Sequence, residues 1–174
     1  VKLGIKTDSY DITGNVLDTK EVIEITNLEE VISSFKKTYL QEVPIYSAVK
    51  VDGKKLYEYA RNKKEVELPK KEVTIKEIEL LSKEKDTFTI KTLVSKGTYI
   101  RSLINDIGIE LNTYATMTSL KRTKQGKVTI DEAYKLSDIR DNNFKIYRIE
   151  ETLEYPVVKV NEELEYKITN GVKL

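Results

Sequence analysis

The chain has 174 residues, of which 39% are hydrophobic and 34% are charged, so one ordinary domain with a heavily solvated surface is expected. It contains neither cysteine nor histidine, which excludes disulfides, thiol nucleophiles, the usual zinc sites and histidine acid–base chemistry. No apolar run is long enough to span a membrane. We expect a cytoplasmic location, no cofactor and no metal.

The net charge of +1 hides a segregated distribution of charges. Residues 50–71 hold eight Lys or Arg against four acids, and 117–130 hold four basic residues and no acid, whereas 150–174 are acidic. Two basic tracts on a nearly neutral protein suit a polyanion, because each neutralised phosphate releases counterions. On charge alone, an ordinary charged surface is an equally open interpretation.

The first predicted helix begins at Asn27, because Asn27-Leu-Glu-Glu30 resembles a capping box. Apolar residues at helical spacing form its stripe: Leu28, Val31, Ile32, Phe35 and Leu40. Further along, Asp52-Gly53 predicts the tight turn of a hairpin-like segment over 44–56, and 54–64 has helical composition.

Two antiparallel strands are predicted over 73–81 and 87–94, where apolar residues alternate. A change of parity in the first strand predicts a bulge near Lys76–Glu77. After the second strand, Gly97 allows a sharp change of backbone direction, and Thr98 is expected to cap a helix. That helix carries apolar residues at helical spacing: Ile100, Leu103, Ile104, Ile107 and Leu111.

The remaining chain mixes short elements. Residues 113–129 are β-rich and basic, three short helical stretches follow between 131 and 153, a strand is predicted over 155–160, and a helix over 161–170 ends at Gly171. Because strands and helices mix without βαβ regularity, the sequence predicts an α+β fold rather than a doubly wound sheet.

Tyr99 and Arg101 are the most informative candidate site residues, because they lie at a strand–helix junction where a rigid scaffold can hold a side chain toward a ligand. An aromatic ring can stack on a base, and an arginine can hold a carboxylate or phosphate bidentately. The alternative is a structural corner with a packed tyrosine and a solvated arginine. Asp8 and Asp11 are interpreted as turn caps, since their spacing is incomplete for a metal loop.

Four stretches of the chain form longer motifs: Leu3-Gly-Ile-Lys-Thr-Asp-Ser-Tyr-Asp-Ile-Thr-Gly14, Pro44-Ile-Tyr-Ser-Ala-Val-Lys-Val-Asp-Gly-Lys-Lys-Leu-Tyr-Glu-Tyr-Ala-Arg61, Lys96-Gly-Thr-Tyr-Ile-Arg-Ser-Leu-Ile-Asn-Asp-Ile-Gly108 and Leu120-Lys-Arg122. In this order they resemble motifs of the TruB family of tRNA pseudouridine synthases, over about residues 1–140. Lys121 stands where the family usually has an arginine.

The resemblance implies a mixed, largely antiparallel sheet flanked by helices, and the conversion of a T-loop uridine of tRNA to pseudouridine after base flipping. It implies that Tyr99 is the pocket tyrosine, that Arg101 is the partner of the catalytic aspartate, and that Leu120 contacts the flipped uridine. For Leu120, a core leucine in a strand is an equally open interpretation.

The resemblance also implies that about 43–71 form a thumb insertion that orders against the T-arm of tRNA. Tyrosines and cations interleave there, a pattern suited to gripping a folded RNA loop by stacking and phosphate contact. The residues expected to contact RNA are Tyr46, Lys50, Lys54, Lys55 and Arg61, together with Lys121 and Arg122 from the second basic tract. The alternative is a surface hairpin and helix whose tyrosines anchor it to the core.

One family motif does not occur. The family carries its nucleophilic aspartate in GxLDPxAxG, and none of the three prolines of this chain follows an aspartate. We expect an internal piece of a longer enzyme, in which 1–153 belong to the catalytic domain and 154–174 lead into a C-terminal RNA-binding PUA domain. This piece is expected to be a monomer that binds the T-arm stem-loop but makes no pseudouridine. A non-catalytic RNA-binding module and a structural fragment with a collapsed pocket are the open alternatives.

Overall fold

The computed structural model describes residues 1–22, 25–153, 155–156 and 158–173, which form two compact units, 1–120 and 121–174. The elements of the first unit are β1 (Lys2–Leu3), β2 (Ile5–Thr7), β3 (Val16–Thr19), α1 (Leu28–Ser34), β4 (Thr38–Glu42), β5 (Lys50–Val51), β6 (Lys54–Lys55), α2 (Leu56–Arg61), β7 (Lys70–Lys83), β8 (Phe88–Val94), α3 (Ile100–Glu110) and β9 (Ala115–Thr116).

A three-stranded antiparallel sheet in the order β4-β7-β8 is the centre of the first unit. The strand pairs β1-β9, β2-β3 and β5-β6 are also antiparallel. The buried apolar residues of α1 and α3 form one core with the sheet: Leu28, Val31, Ile32, Ile75, Phe88, Leu103, Ile104 and Ile107. The α+β class is therefore confirmed, and the apolar stripe of α3 faces this core as predicted.

The predicted bulge and hairpin turn are both confirmed. The pairing of β7 with β8 shifts register between Ile75 and Glu77, and a second shift between Leu80 and Ser82 was not predicted. Asp52 and Gly53 both have positive φ, 50° and 78°, which is the backbone of a two-residue hairpin turn.

The first helix was predicted too long, and its predicted cap is wrong. The helix ends at Ser34, and Leu40 instead lies on β4, where it is 64% exposed. Pairing of β4 with β7 takes precedence over the helical spacing of the apolar residues, and it points Leu40 outward while Gln41 points inward. The side chain of Asn27 caps nothing, because its backbone (φ −102°, ψ 19°) is not in the extended conformation that a capping residue adopts.

The second unit contains a short hairpin and short helices: β10 (Lys124–Gln125), β11 (Val128–Thr129), a 3₁₀ turn (Ile130–Glu132), α4 (Leu136–Arg140), α5 (Ile149–Thr152) and α6 (Glu162–Thr169). The three predicted helical stretches and the terminal helix are confirmed, with Asn161 as cap of α6 and Gly171 at φ +64° after it. The strand predicted over 155–160 does not form at its described residues, and Val157 lies outside them.

None of the described residues of this unit is buried, so short-range hydrogen bonds hold its elements. No helix of the described chain is long and apolar enough to cross a membrane.

Candidate active site at the start of helix α3

The junction between β8 and α3 is a tight turn built on Gly97. Its φ of +88° lies in the left-handed region, which costs glycine nothing. The hydroxyl of Thr98 donates to the backbone oxygen of Ser95 at 2.9 Å, so Thr98 closes the turn and does not cap the helix as predicted. Tyr99 is the residue immediately before α3, and its side chain makes no capping hydrogen bond. The backbone N–H of Tyr99, at the start of the helix, takes its hydrogen-bond partner from another strand.

Gln41 on β4 satisfies that N–H. Its Oε1 accepts a hydrogen bond from the backbone nitrogen of Tyr99 at 2.8 Å, and only 1% of Gln41 is exposed. The strand that was predicted as the end of a helix thus places a buried amide against the start of α3. For this reason Gln41 was not among the predicted site residues, although a polar residue at an inward-facing position is a signal once β4 is recognised as a strand.

Arg101 joins three separate parts of the chain. Its Nη1 donates to the backbone oxygen of Ser9 at 3.1 Å, and its Nη2 donates to the backbone oxygen of Tyr46 at 2.9 Å. Ser9 lies in the turn after β2, and Tyr46 lies in the loop that follows β4. The ion pairs found among the described residues do not include Arg101. Its half-buried guanidinium donates to these two neutral oxygens, and its charge also helps to lower the pKa of nearby Asp11.

The turn that presents the oxygen of Ser9 is stabilised by two carboxylates. Asp11 accepts from the nitrogen and the hydroxyl of Thr13, at 3.0 and 2.7 Å, and these bonds are the main reason that its pKa lies below the ordinary value. Asp8 accepts from the backbone nitrogen and the side-chain amide of Asn15, at 3.0 and 2.8 Å. Both aspartates act as turn caps, as predicted from their spacing.

A buried polar chain continues from Gln41 to the second turn of α3. The Nε2 of Gln41 donates to the hydroxyl of Tyr39 at 2.8 Å, and that hydroxyl donates to Oδ2 of Asp106 at 3.0 Å. Burial, and then the charge of Glu42, raise the pKa of Asp106, although the bond from Tyr39 acts in the opposite direction. Burial and the charge of Asp106 raise the pKa of Tyr39, so this hydroxyl keeps its proton at neutral pH.

Two family models match the chain in succession. Residues 1–100 match "TruB family pseudouridylate synthase (N terminal domain)", and residues 101–164 match "tRNA pseudouridylate synthase B C-terminal domain". The chain belongs to the TruB family. The domain boundary expected near residue 153 stays a prediction.

Curated relatives and a solved structure agree with membership of the TruB family. The tRNA pseudouridine synthase B of Caldanaerobacter subterraneus subsp. tengcongensis is 37% identical over 98% of this chain and 61% of its own length, and that of Oceanobacillus iheyensis is 41% identical over 100% and 61%. The chain thus spans about three fifths of these relatives. A chain of the crystal structure of a Cbf5-Nop10-Gar1 complex is similar with a TM-score of 0.55 and 27% identity, over 70% of this chain and 32% of that one.

The tyrosines of the predicted TruB thumb have different surroundings. The ring of Tyr57 has Lys55 Nζ at 5.4 Å and Arg61 at 5.3 Å from its centre, distances typical of cation–π contacts. The hydroxyl of Tyr59 donates to the backbone oxygen of Val51 at 3.0 Å, so Tyr59 fastens α2 to the hairpin. Both partners lie within the predicted thumb, so this contact does not decide whether Tyr59 anchors the thumb to the core.

Of the other predicted thumb residues, Tyr46 is bonded to the turn after β2, and Lys50 and Lys54 are exposed. The hydroxyl of Tyr46 donates to Oδ2 of Asp8 at 3.3 Å, which adds a side-chain link to its backbone link with Arg101. Lys50 and Lys54 are exposed on the hairpin, where they are accessible to phosphate.

The remaining candidates from the TruB resemblance are exposed. Leu120 is 57% exposed, which argues against the core-leucine alternative. Lys121 and Arg122 follow it in the second unit, where Arg122 donates to Gln125 Oε1 at 2.9 Å. Two surface cavities of the first unit, of about 710 and 260 Å³, include neither Tyr99 nor Leu120. A cavity that faces Tyr99 stays a prediction.

Proposed function

We propose that this chain is the part of a tRNA pseudouridine synthase that receives a flipped T-loop uridine, and that the nucleophilic aspartate comes from outside its 174 residues. One observation carries the proposal. Three of the four family motifs meet at Arg101, which extends from the third motif and donates to backbone oxygens of the first and second motifs. A side chain held at this meeting point is well placed for chemistry.

The bonding of Arg101 supports a role toward an anion. A guanidinium has five N–H donors, and the two bonds to carbonyl oxygens occupy only some of them. Backbone oxygens orient the group without neutralising its charge. An aspartate brought to this place would gain a charge-assisted, bidentate partner and would be held as the carboxylate.

Tyr99 supplies the aromatic surface that a flipped base requires. Taking a uridine out of its stack costs a few kcal/mol, and stacking on an aromatic ring returns about 1–3 kcal/mol. Tyr99 is partly exposed and its backbone N–H is held by Gln41, which supports this role. Leu120, exposed at the end of the first unit, adds an apolar contact to the base.

The two basic tracts bind the phosphates of the T-arm in this proposal. Lys50 and Lys54 on the hairpin, together with Lys121 and Arg122, are exposed cations whose contact with phosphate releases counterions. The protein acts as a monomer in the cytoplasm and uses no cofactor. Binding energy from these remote contacts offsets the cost of flipping the base.

Tritium release from tRNA labelled at C5 of uridine tests the activity, because bond formation at C5 expels that hydrogen to water. The full-length protein that carries this chain should release tritium from T-arm uridine. A tRNA with cytidine at the target position is the control, and it should give no release from that site.

The 174-residue chain alone should bind a T-arm stem-loop but release no tritium. Turnover by the chain alone would contradict the external nucleophile. Binding without any turnover by the full-length protein would instead favour the non-catalytic RNA-binding module.

A further inference from the structure

Gln41 makes two hydrogen bonds that leave its orientation no freedom. The backbone N–H of Tyr99 can only donate, so it requires the amide oxygen, and this turns the amide nitrogen toward the hydroxyl of Tyr39. Both bonds are 2.8 Å long, and Gln41 is 1% exposed, so water does not compete for either of them.

The same chain of bonds reaches α3 a second time. The hydroxyl of Tyr39 donates to Asp106, which lies seven residues, or about two helical turns, after Tyr99. Contacts at two points along one helix restrict both its rotation and its sliding. β4 therefore fixes where the first turn of α3 begins.

The contacts of Arg101 depend on the same stretch of chain. Gln41 bonds the residue before α3, and Tyr46, five positions later, offers its backbone oxygen to Arg101. Gln41 is the acceptor found for the Tyr99 N–H among the described residues, so without Gln41 this N–H would lose that partner at a half-buried position. Loss of this bond should then change both the orientation of the Tyr99 side chain and the position of the Arg101 guanidinium.

We infer that Gln41 is a positioning residue for the pair Tyr99 and Arg101, which sets their geometry toward the base and the nucleophile. The inference rests on the proposed function. Gln41 touches no reacting atom, and it acts through the backbone of Tyr99. A misplacement of about 1 Å at a reacting group can cost about 100-fold in rate, so a lost positioning bond should appear in kcat more than in KM.

The test compares Gln41→Leu with Thr116→Val in the full-length protein. Leucine has a similar volume and forms neither bond. Thr116 is also fully buried, and its hydroxyl bonds the backbone oxygen of Ile5 at 2.6 Å, so its variant loses a buried hydrogen bond without touching Tyr99. Steady-state tritium release gives kcat and KM, thermal melting gives the loss of stability, and amide hydrogen exchange reports on Tyr99 directly.

We expect Gln41→Leu to lower kcat by about 10- to 100-fold with KM within about threefold of wild type. Exchange of the Tyr99 amide should accelerate at least about tenfold relative to the amides of β8. Thr116→Val should keep kcat within about twofold at a comparable loss of melting temperature. Equal kcat losses in the two variants, or an unchanged Tyr99 amide, would overturn the inference.

Tyr39→Phe provides a second variant should Gln41→Leu fail to fold. It removes the hydrogen bonds of the Tyr39 hydroxyl to Gln41 and Asp106 but leaves the bond between Gln41 and Tyr99. We therefore expect kcat to fall, and exchange of the Tyr99 amide to accelerate, by only about a few-fold. Wild-type values for both kcat and Tyr99 exchange in this variant would contradict the positioning chain. If the wild-type protein releases no tritium, the proposed function fails, while the exchange measurement still decides whether Gln41 holds Tyr99.

Discussion

Replacement of Arg101 by alanine distinguishes a catalytic from a structural role of this side chain. The loss of stability can be estimated from the contacts of Arg101 and compared with the loss of activity. The variant loses two hydrogen bonds, of 3.1 and 2.9 Å, from a charged donor to backbone oxygens. Such bonds contribute about 1.5–3 kcal/mol each when buried. Arg101 is only half-buried, so water replaces part of this, and we expect a total loss of about 1–3 kcal/mol. For a chain of this length the melting temperature should fall by about 2–12 °C.

The effect on activity should be larger than this loss of stability. Removing one preorganised electrostatic partner from an active site typically lowers kcat about 100- to 1000-fold. Tritium release by full-length Arg101→Ala, measured about 12 °C or more below its own melting temperature so that the variant stays folded, should be lowered by this factor. Thr116→Val is the control, because it removes one buried bond, 2.6 Å long, to the backbone oxygen of Ile5, which is not a partner of Arg101. The reasoning fails if both variants lose activity in proportion to stability.

Three further predictions concern pH, packing and charge. Burial raises the pKa of Asp106, so this carboxyl favours folding most below its ordinary pKa of about 3.9 and opposes folding once it ionises. Asp106→Asn should therefore melt higher than wild type at pH 7, with a difference that shrinks as pH falls toward about 4. Gly108→Ala should destabilise by about 1–3 kcal/mol in chemical denaturation despite alanine's better helix propensity, because its Cβ would lie 2.6 Å from the nitrogen of Ala115. Lys121→Gln with Arg122→Gln should lower the salt dependence of tRNA binding by about one unit of slope per contact, and an unchanged slope would exclude them from the interface.

Local patterns predicted most of the first unit's elements. The alternation along β8, the turn at Gly97 and the apolar spacing of α3 all depend on neighbours within a few residues, and each was confirmed. The change of parity near Lys76–Glu77 likewise marks a real register shift. These features are readable because the period of the apolar residues follows directly from strand and helix geometry.

The errors arose where contacts distant in sequence decide the structure. Leu40 continued the helical spacing of α1, but pairing with a strand some thirty residues later makes β4 extended. That error also hid Gln41, whose inward position is visible only on a strand. Thr98 was expected to cap α3, but the side chain that bonds the backbone at the start of α3 is Gln41, from another strand. Propensity and capping patterns carry no information about such partners.

The residue type of Arg101 made it a candidate site residue. Its hydrogen-bond partners could not be predicted from the sequence, because both are backbone oxygens, which every residue possesses. This choice of partners has a chemical consequence. A carboxylate in either place would neutralise the guanidinium and compete with an incoming nucleophile, whereas carbonyl oxygens orient it and leave its charge in force. Partial burial of the Arg101 charge costs free energy, and an arriving aspartate that bonds the guanidinium directly would recover part of that cost. The contacts that join the three motifs thus leave donors of Arg101 for a carboxylate, as the proposed reaction requires.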